Sequence, residues 1–249
     1  MRGLFRIVRS ARRLAARSTE RRCDRRLAVA LDAILAASPE ELGDVERLTH
    51  MVGTAGLAHD PRGLYGADEV YANPIARGLW QIPGQLARFL VFLSRREIRT
   101  VLEVGTYTGY TFAVVMTYLT RFSPGVRGIT VDIADVRPPR ALAAGRFDGR
   151  FERGTAADFA GQAFDLCMID ADHSYAAVRA DYEAVGAAAR LCMFHDINDR
   201  IVAECPGNAG GVPRFWREIK GRIPAAALHE FSDHSEHRPV MGIGVVERG

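Results

Sequence analysis

The stretch VLEVGTYTGY, Val101 to Tyr110, sets an apolar run against a turn whose glycines, Gly105 and Gly109, stand four apart, with Glu103 as the acidic residue at its edge. Glycine permits tight turns and close backbone approach, and an open α/β sheet takes its ligands at the carboxyl ends of its strands. A strand, turn and helix start of this composition therefore suit a nucleoside-like ligand. A dinucleotide fingerprint needs G-x-G-x-x-G, and Tyr107 stands where its second glycine belongs, so no diphosphate cradle is expected. Glu103 would repel a phosphate but can accept hydrogen bonds from a cationic or hydroxyl-bearing ligand.

One strand further on, ITVDIAD (Ile129 to Asp135) carries Asp132, and a carboxylate after a second strand can accept both hydroxyls of a ribose. The alternative is a capping aspartate in an ordinary turn between strand and helix. Around these two motifs the chain is regularly punctuated. Helices are expected at Gln85 to Ser94, Tyr110 to Thr120, near Pro139 to Gly145, at Tyr175 to Ala188 and at Arg214 to Gly221. Strands are expected at Thr100 to Val104, Gly128 to Asp132, near Arg150 to Arg153, Phe164 to Ile169, Arg190 to Phe194, near Ala226 to Phe231 and at Val240 to Val246. Alternation of this kind predicts an α/β fold: a Rossmann-like, doubly wound, mostly parallel seven-stranded sheet with helices on both faces.

Ahead of that domain, taken as 83–249, two helices are expected at Leu27 to Ala37 and Pro39 to Met51, the second opened by Ser38 with Glu41 at capping-box spacing. Val52 to Pro74 holds Gly53, Gly56, Gly63, Gly66 and two prolines and reads as a loop or lid, completing a helical cap segment over 27–82. Its Tyr65, Asp68, Glu69 and Tyr71 are candidates to face a substrate. The arm 1–26 holds ten arginines against Glu20 and Asp24, with Leu4, Ile7, Val8, Ala11, Leu14 and Ala15 at helical spacing. This fits an amphipathic helix that docks on a partner, rests on solvent, or contacts an anionic membrane surface. Nucleic acid ranks last, because only Phe5 interleaves an aromatic ring with the basic residues. With no apolar run of spanning length and no C-x-x-C among Cys23, Cys167, Cys192 and Cys205, a cytoplasmic protein with reduced thiols, peripheral to the membrane at most, is expected.

With Glu103, Gly105 and Gly109 as E-x-G-x-x-x-G and Asp132 after the next strand, the sequence resembles the class I S-adenosylmethionine-dependent methyltransferases. More narrowly, PGQLARFLVFLSRREIRTVLEVGTYTGYT (Pro83 to Thr111) resembles the catechol and caffeoyl-CoA O-methyltransferases. FDLCMIDADHSYAAVRADYEAV, FHDI, GGVPRFWREIK and MGIGVV resemble a bacterial branch that includes macrolide-sugar methyltransferases and cephalosporin-hydroxylase-like proteins. The resemblance implies S-adenosyl-L-methionine as cofactor, bound by Glu103, Gly105, Thr106, Tyr107, Gly109, Asp132 and Asp170. Adenine contacts are implied at Thr155 and Asp158, and Trp80 lies where relatives approach the cofactor.

Methyl transfer from a sulfonium needs an acceptor oxygen held in line with the methyl group, and a means to remove its proton. Asp170, Asp172 and His173 follow one strand and His195 and Asp196 end the next, so adjacent parallel strand ends bring carboxylates and imidazoles together. These residues form a candidate divalent site, or else a set of caps and loop hydrogen bonds. In the group resembled, metal ligands stand at Asp170 and at an Asp-Asn pair where this chain has His195 and Asp196, and a lysine base stands at His173. That implies metal ligation by Asp170, His195 and Asp196, and catalytic roles for Asp170 and His173. Histidine at 195 softens the ligand set, favouring Mn, Fe or Zn over Mg. His173, with an ordinary pKa of about 6.5, would serve as base near neutral pH. Pro-Gly-Gly, which many relatives carry before the strand ending at 195, is absent.

The expectation is an O-methyltransferase acting on a small hydroxylated molecule or sugar, of a natural product or glycolipid, with a homo-oligomer as a candidate assembly. A hydroxylase-like enzyme of the same fold and a non-catalytic membrane-surface scaffold are the alternatives. His234 and His237 read as residues of an exposed hairpin loop, and Trp80 and Trp216 as packing residues.

Overall fold

The computed structural model describes residues 21–56, 78–135, 145–232 and 241–248. In chain order the main elements are α1 (21–36), α2 (Pro39–Gly43), α3 (Val45–Gly53), α4 (Pro83–Leu93), β1 (Thr100–Val104), α5 (Tyr110–Leu119), β2 (Arg127–Asp132) and β3 (Asp148–Arg153). After these come β4 (Leu166–Ile169), α6 (Tyr175–Asp181), β5 (Leu191–His195), α7 (Arg200–Glu204), α8 (Gly211–Lys220), β6 (Leu228–Phe231) and β7 (Ile243–Glu247).

The seven strands form one sheet in the order β3-β2-β1-β4-β5-β7-β6, parallel from β3 to β5, with β7 antiparallel to both its neighbours. Strands buried on both faces carry apolar side chains at successive positions. In β4, Leu166 and Met168 enter one core and Cys167 and Ile169 the other, and in β5 Leu191 and Met193 alternate with Cys192 and Phe194 in the same way. Helices α1, α3, α4 and α5 fill the first core, while α6 and α8 fill the second. Between β2 and β4, which flank β1, the strand order reverses, and the crevice beyond the carboxyl end of β1 is the ligand position of such sheets.

Leu27, Leu31 and Ile34 of α1 lie in one cluster with Leu48, Leu86 and Tyr118, so the helical extension is built into the core beneath α5. The Tyr110 hydroxyl donates to Asp24 at 3.0 Å, and Arg146 reaches Asp32 through two hydrogen bonds. No helix among the described residues is long and apolar enough to cross a membrane.

Several element boundaries differ from expectation. The single helix Pro39 to Met51 is two, because Asp44 turns extended and its carboxylate takes the amides of Glu46 and Arg47. A short acidic side chain that satisfies local amides competes with helix propagation. The Ser38–Glu41 capping box forms as the spacing predicts. The helix from Tyr175 continues past Asp181 as a π-helical turn, Tyr182–Gly186, where a Cβ on Gly186 would meet the Cys192 sulfur at 2.7 Å. Helix α8 starts at Gly211 rather than Arg214, since Pro213 sits in the first turn, where its missing N–H costs no helical bond. Helix α7, too short to show a period, is set by Asp199, which accepts from Ile201 and Val202. The arm up to residue 20, the lid from 57 to 74 with its candidate substrate residues, the helix near Pro139 up to residue 144, and His234 and His237 lie outside the described residues.

Candidate active site at the carboxyl ends of β1, β2, β4 and β5

The glycine turn is closed from both sides. Gly105, at φ +100°, donates its N–H to the Val131 carbonyl, and a Cβ there would meet the Asp170 carbonyl oxygen at 2.1 Å. Glycine is therefore required where β1 passes β4. Tyr107, at φ +47°, donates its N–H to Asp132 Oδ2 at 3.0 Å, and Asp132 Oδ1 accepts from Ala134 at 2.9 Å. Each carboxylate oxygen can accept more than one bond, so Asp132 fixes the turn and keeps acceptor capacity for a ligand. The capping and ligand-binding readings of this residue are compatible.

Glu103 and Thr106 are buried side chains. Thr130, which the sequence did not single out, bonds both Glu103 Oε2 at 2.5 Å and the Thr106 hydroxyl at 2.6 Å. Burial drives the Glu103 carboxyl well above the usual range against the Thr130 hydrogen bond, and the negative charges of Asp170 and Asp132 push it further up. Glu103 thus supports the turn from below. Thr155 and Asp158 form a capping box on the short helix Ala156–Phe159, at the end of β3 beside Asp132. Over the turn runs the segment preceding α4: Trp80 packs edge-on against Tyr107 at 6.1 Å, and Thr108 donates to the Gly78 carbonyl.

Across β1 the ends of β4 and β5 gather the second half of the site. Asp170, His195 and Asp196 place one potential ligand atom each within 4.8 Å of one another. His195 is buried, with Nδ1 3.2 Å from Asp170 Oδ1 and 3.3 Å from Asp196 Oδ1, yet neither ring nitrogen has an aligned hydrogen-bond partner. A buried imidazole with no bonded nitrogen, beside two carboxylates, matches the donor set of a Mn, Fe or Zn site. Asp196 holds φ +61°, a strained conformation for a residue with a side chain. The loop after it is clamped to the start of the last strand: Ile197 and Asn198 donate to the Gly242 and Met241 carbonyls, and Gly242 donates to Gln85. Asp172 stands outside the cluster, capping the next turn through Ser174.

His173 Nε2 lies 2.9 Å from Asp196 Oδ2 and 3.8 Å from Asp170 Oδ1. Burial lowers its pKa, but the two carboxylates outweigh burial and raise it to about 10. This corrects the expectation of a ring poised near neutrality: against uncompensated carboxylates His173 is a proton donor. Burial raises and His195 and His173 lower the Asp170 and Asp196 carboxyls, which end below their usual range. The His173 contact stabilises the fold fully below pH 6.5 and is lost as pH rises through about 10. NMR titration of cation-free protein should place the His173 midpoint near 10, and Asp196→Asn should bring it back toward 6.5. A midpoint already near 6.5 in the parent would contradict this arrangement.

The glycine turn at the strand-order reversal and the imidazole and carboxylate cluster beside it thus occupy the place where open α/β sheets take their ligands. Residues 102–197, from β1 to the loop after β5, match the family model described as a methyltransferase domain. The O-methyltransferase TomG from Streptomyces achromogenes, solved with SAM, is similar at 17% identity and a TM-score of 0.51, over 83% of this chain and 99% of that one. An O-methyltransferase from Bacillus cereus, solved with SAH, is similar at 17% identity and a TM-score of 0.50, over 91% of this chain and all of that one. No curated protein matches the sequence.

Proposed function

We propose that the protein is an S-adenosylmethionine-dependent O-methyltransferase for a small hydroxylated acceptor, a sugar of a natural product or glycolipid, with a divalent cation assisting. The observation that carries this reading is the juxtaposition, across β1 and β4, of the Asp132-braced glycine turn and the Asp170, His195 and Asp196 cluster. Asp132 receives the ribose hydroxyls, and the turn from Gly105 to Gly109 lies along the nucleoside. Asp170 stands at the border between the cofactor and the acceptor.

In the reaction the acceptor oxygen forms its bond to the methyl carbon as the sulfur–methyl bond breaks, and the electron pair goes to sulfur, leaving neutral S-adenosylhomocysteine. A cation held by Asp170, His195 and Asp196 would supply Lewis acidity toward the acceptor hydroxyl. The acceptor hydroxyl's proton passes to His173 Nε2 in the neutral form of the ring, and the protonated ring is then held by the Asp170 and Asp196 carboxylates. The arginine-rich arm suits an acceptor presented at an anionic membrane surface from the cytoplasmic side.

Calorimetric titration tests the cofactor. S-adenosylhomocysteine should bind the folded protein, and Asp132→Ala should weaken binding about ten- to a hundred-fold, the loss of charge-assisted hydrogen bonds to two hydroxyls. Folded protein that gives no heat and no thermal stabilisation at about 1 mM ligand would refute the reading.

A further inference from the structure

Gln81 lies just ahead of α4 and is fully buried, although nothing in its immediate sequence, Leu79-Trp-Gln-Ile82, marks it as polar machinery. Its Nε2 donates to Asp170 Oδ2 at 3.2 Å, across 89 positions of chain. Its Oε1 is buried with no hydrogen-bond partner among the described residues. The opposite amide orientation would set Oε1 against the carboxylate, acceptor facing acceptor, so the Asp170 contact fixes which atom is which. Burying a glutamine whose carbonyl oxygen has no partner among the described residues is unfavourable for the fold itself, and methionine, of nearly the same shape, would avoid the loss. The polar group therefore answers to Asp170 and to what Asp170 holds.

We propose that Gln81 is a positioning residue for the candidate cation site: its amide occupies Asp170 Oδ2 and so presents Oδ1, the oxygen facing His195, to the cation. The inference rests on the reading of Asp170, His195 and Asp196 as cation ligands. A neutral amide does this without adding charge, where a lysine or arginine would compete with the cation for the carboxylate. The free Oε1 marks the same amide as part of a surface that a ligand bearing an N–H or O–H group completes.

The probe is Mn2+ alone, followed by the loss of its free-ion EPR signal in full-length protein, with thermal unfolding of the cation-free protein alongside. Gln81→Met should bind Mn2+ about ten- to a hundred-fold more weakly, as outer partners of metal ligands do when replaced, while unfolding at the parent's temperature or above. A role in packing alone predicts the reverse pattern, a lower unfolding temperature with unchanged Mn2+ affinity, and that result overturns the proposal. Gln81→Leu gives the same comparison should the methionine variant not fold. Asp170→Ala separates the two levels of the argument. If the parent and Asp170→Ala both fail to bind Mn2+, the cation reading falls and this inference with it. If the parent binds, Asp170→Ala does not, and Gln81→Met binds like the parent, only the role of Gln81 is lost.

Discussion

Asp170→Ala should reduce methyl transfer by about a thousand-fold or more, as removal of a group at the reacting centre does. Asp170 is the point where the two halves of the site meet: Gln81 reaches its Oδ2, His195 Nδ1 its Oδ1, and its backbone closes over Gly105. Alanine keeps the backbone contact and removes only the carboxylate, so cofactor binding measured by calorimetry should fall much less than turnover. The variant leaves His195 buried with one neighbouring carboxylate instead of two, and its pKa should drop toward the ordinary value. In the parent, the lowered Asp170 pKa contributes stability above pH 3.8 that is lost as pH falls through its folded value. Acid unfolding of Asp170→Ala should therefore be less steep. Turnover within ten-fold of the parent would remove Asp170 from the reaction.

Gly105→Ala should lower the unfolding free energy by about 3 to 5 kcal/mol, combining a left-handed backbone strain with overpacking against main chain. The new Cβ would meet the Asp170 carbonyl oxygen at 2.1 Å and the Ala171 Cα at 2.7 Å, and backbone atoms in a parallel sheet cannot rotate aside as a side chain can. Relief requires the ends of β1 and β4 to part, which moves Asp170 away from His195. A typical domain has about 5 to 15 kcal/mol to lose, so urea unfolding should show a midpoint shift large enough to read without ambiguity. The contrasting control is Gly125→Ala, at φ +79° but with open space around its Cβ, which should cost only its backbone strain. Equal losses in the two variants would mean that the β1–β4 approach is not tight.

The sheet was legible because both-sided burial leaves a strong trace: Leu166–Ile169 and residues 191–194 are unbroken apolar runs, followed within two residues by the acids Asp170 and Asp196. The same ends supplied Asp132, Asp170, His195 and Asp196, since in a parallel sheet position along the chain fixes position in the crevice. Gln81 and Thr130 escaped notice for the complementary reason. Their importance comes from partners 89 and 27 positions away, and no local period or spacing encodes such a contact. The charge state of His173 was hidden likewise, because it depends on Asp196, a neighbour through space on another strand end. Asp44 shows the local limit: one side chain capping its own backbone outweighed an otherwise continuous helical pattern.

The clamp between the loop at Ile197 and Asn198 and the backbone of Met241 and Gly242 sets a condition on synthesis. A nascent chain that has emerged as far as Asp199 already carries every residue nominated for the cofactor and the cation. It still lacks the backbone that brackets the loop following Asp196, because β7, which inserts between β5 and β6, comes after both of them in the chain. During synthesis the loop after Asp196 therefore gains these two backbone partners only after residues 241 and 242 have been added, some forty positions behind the site they brace.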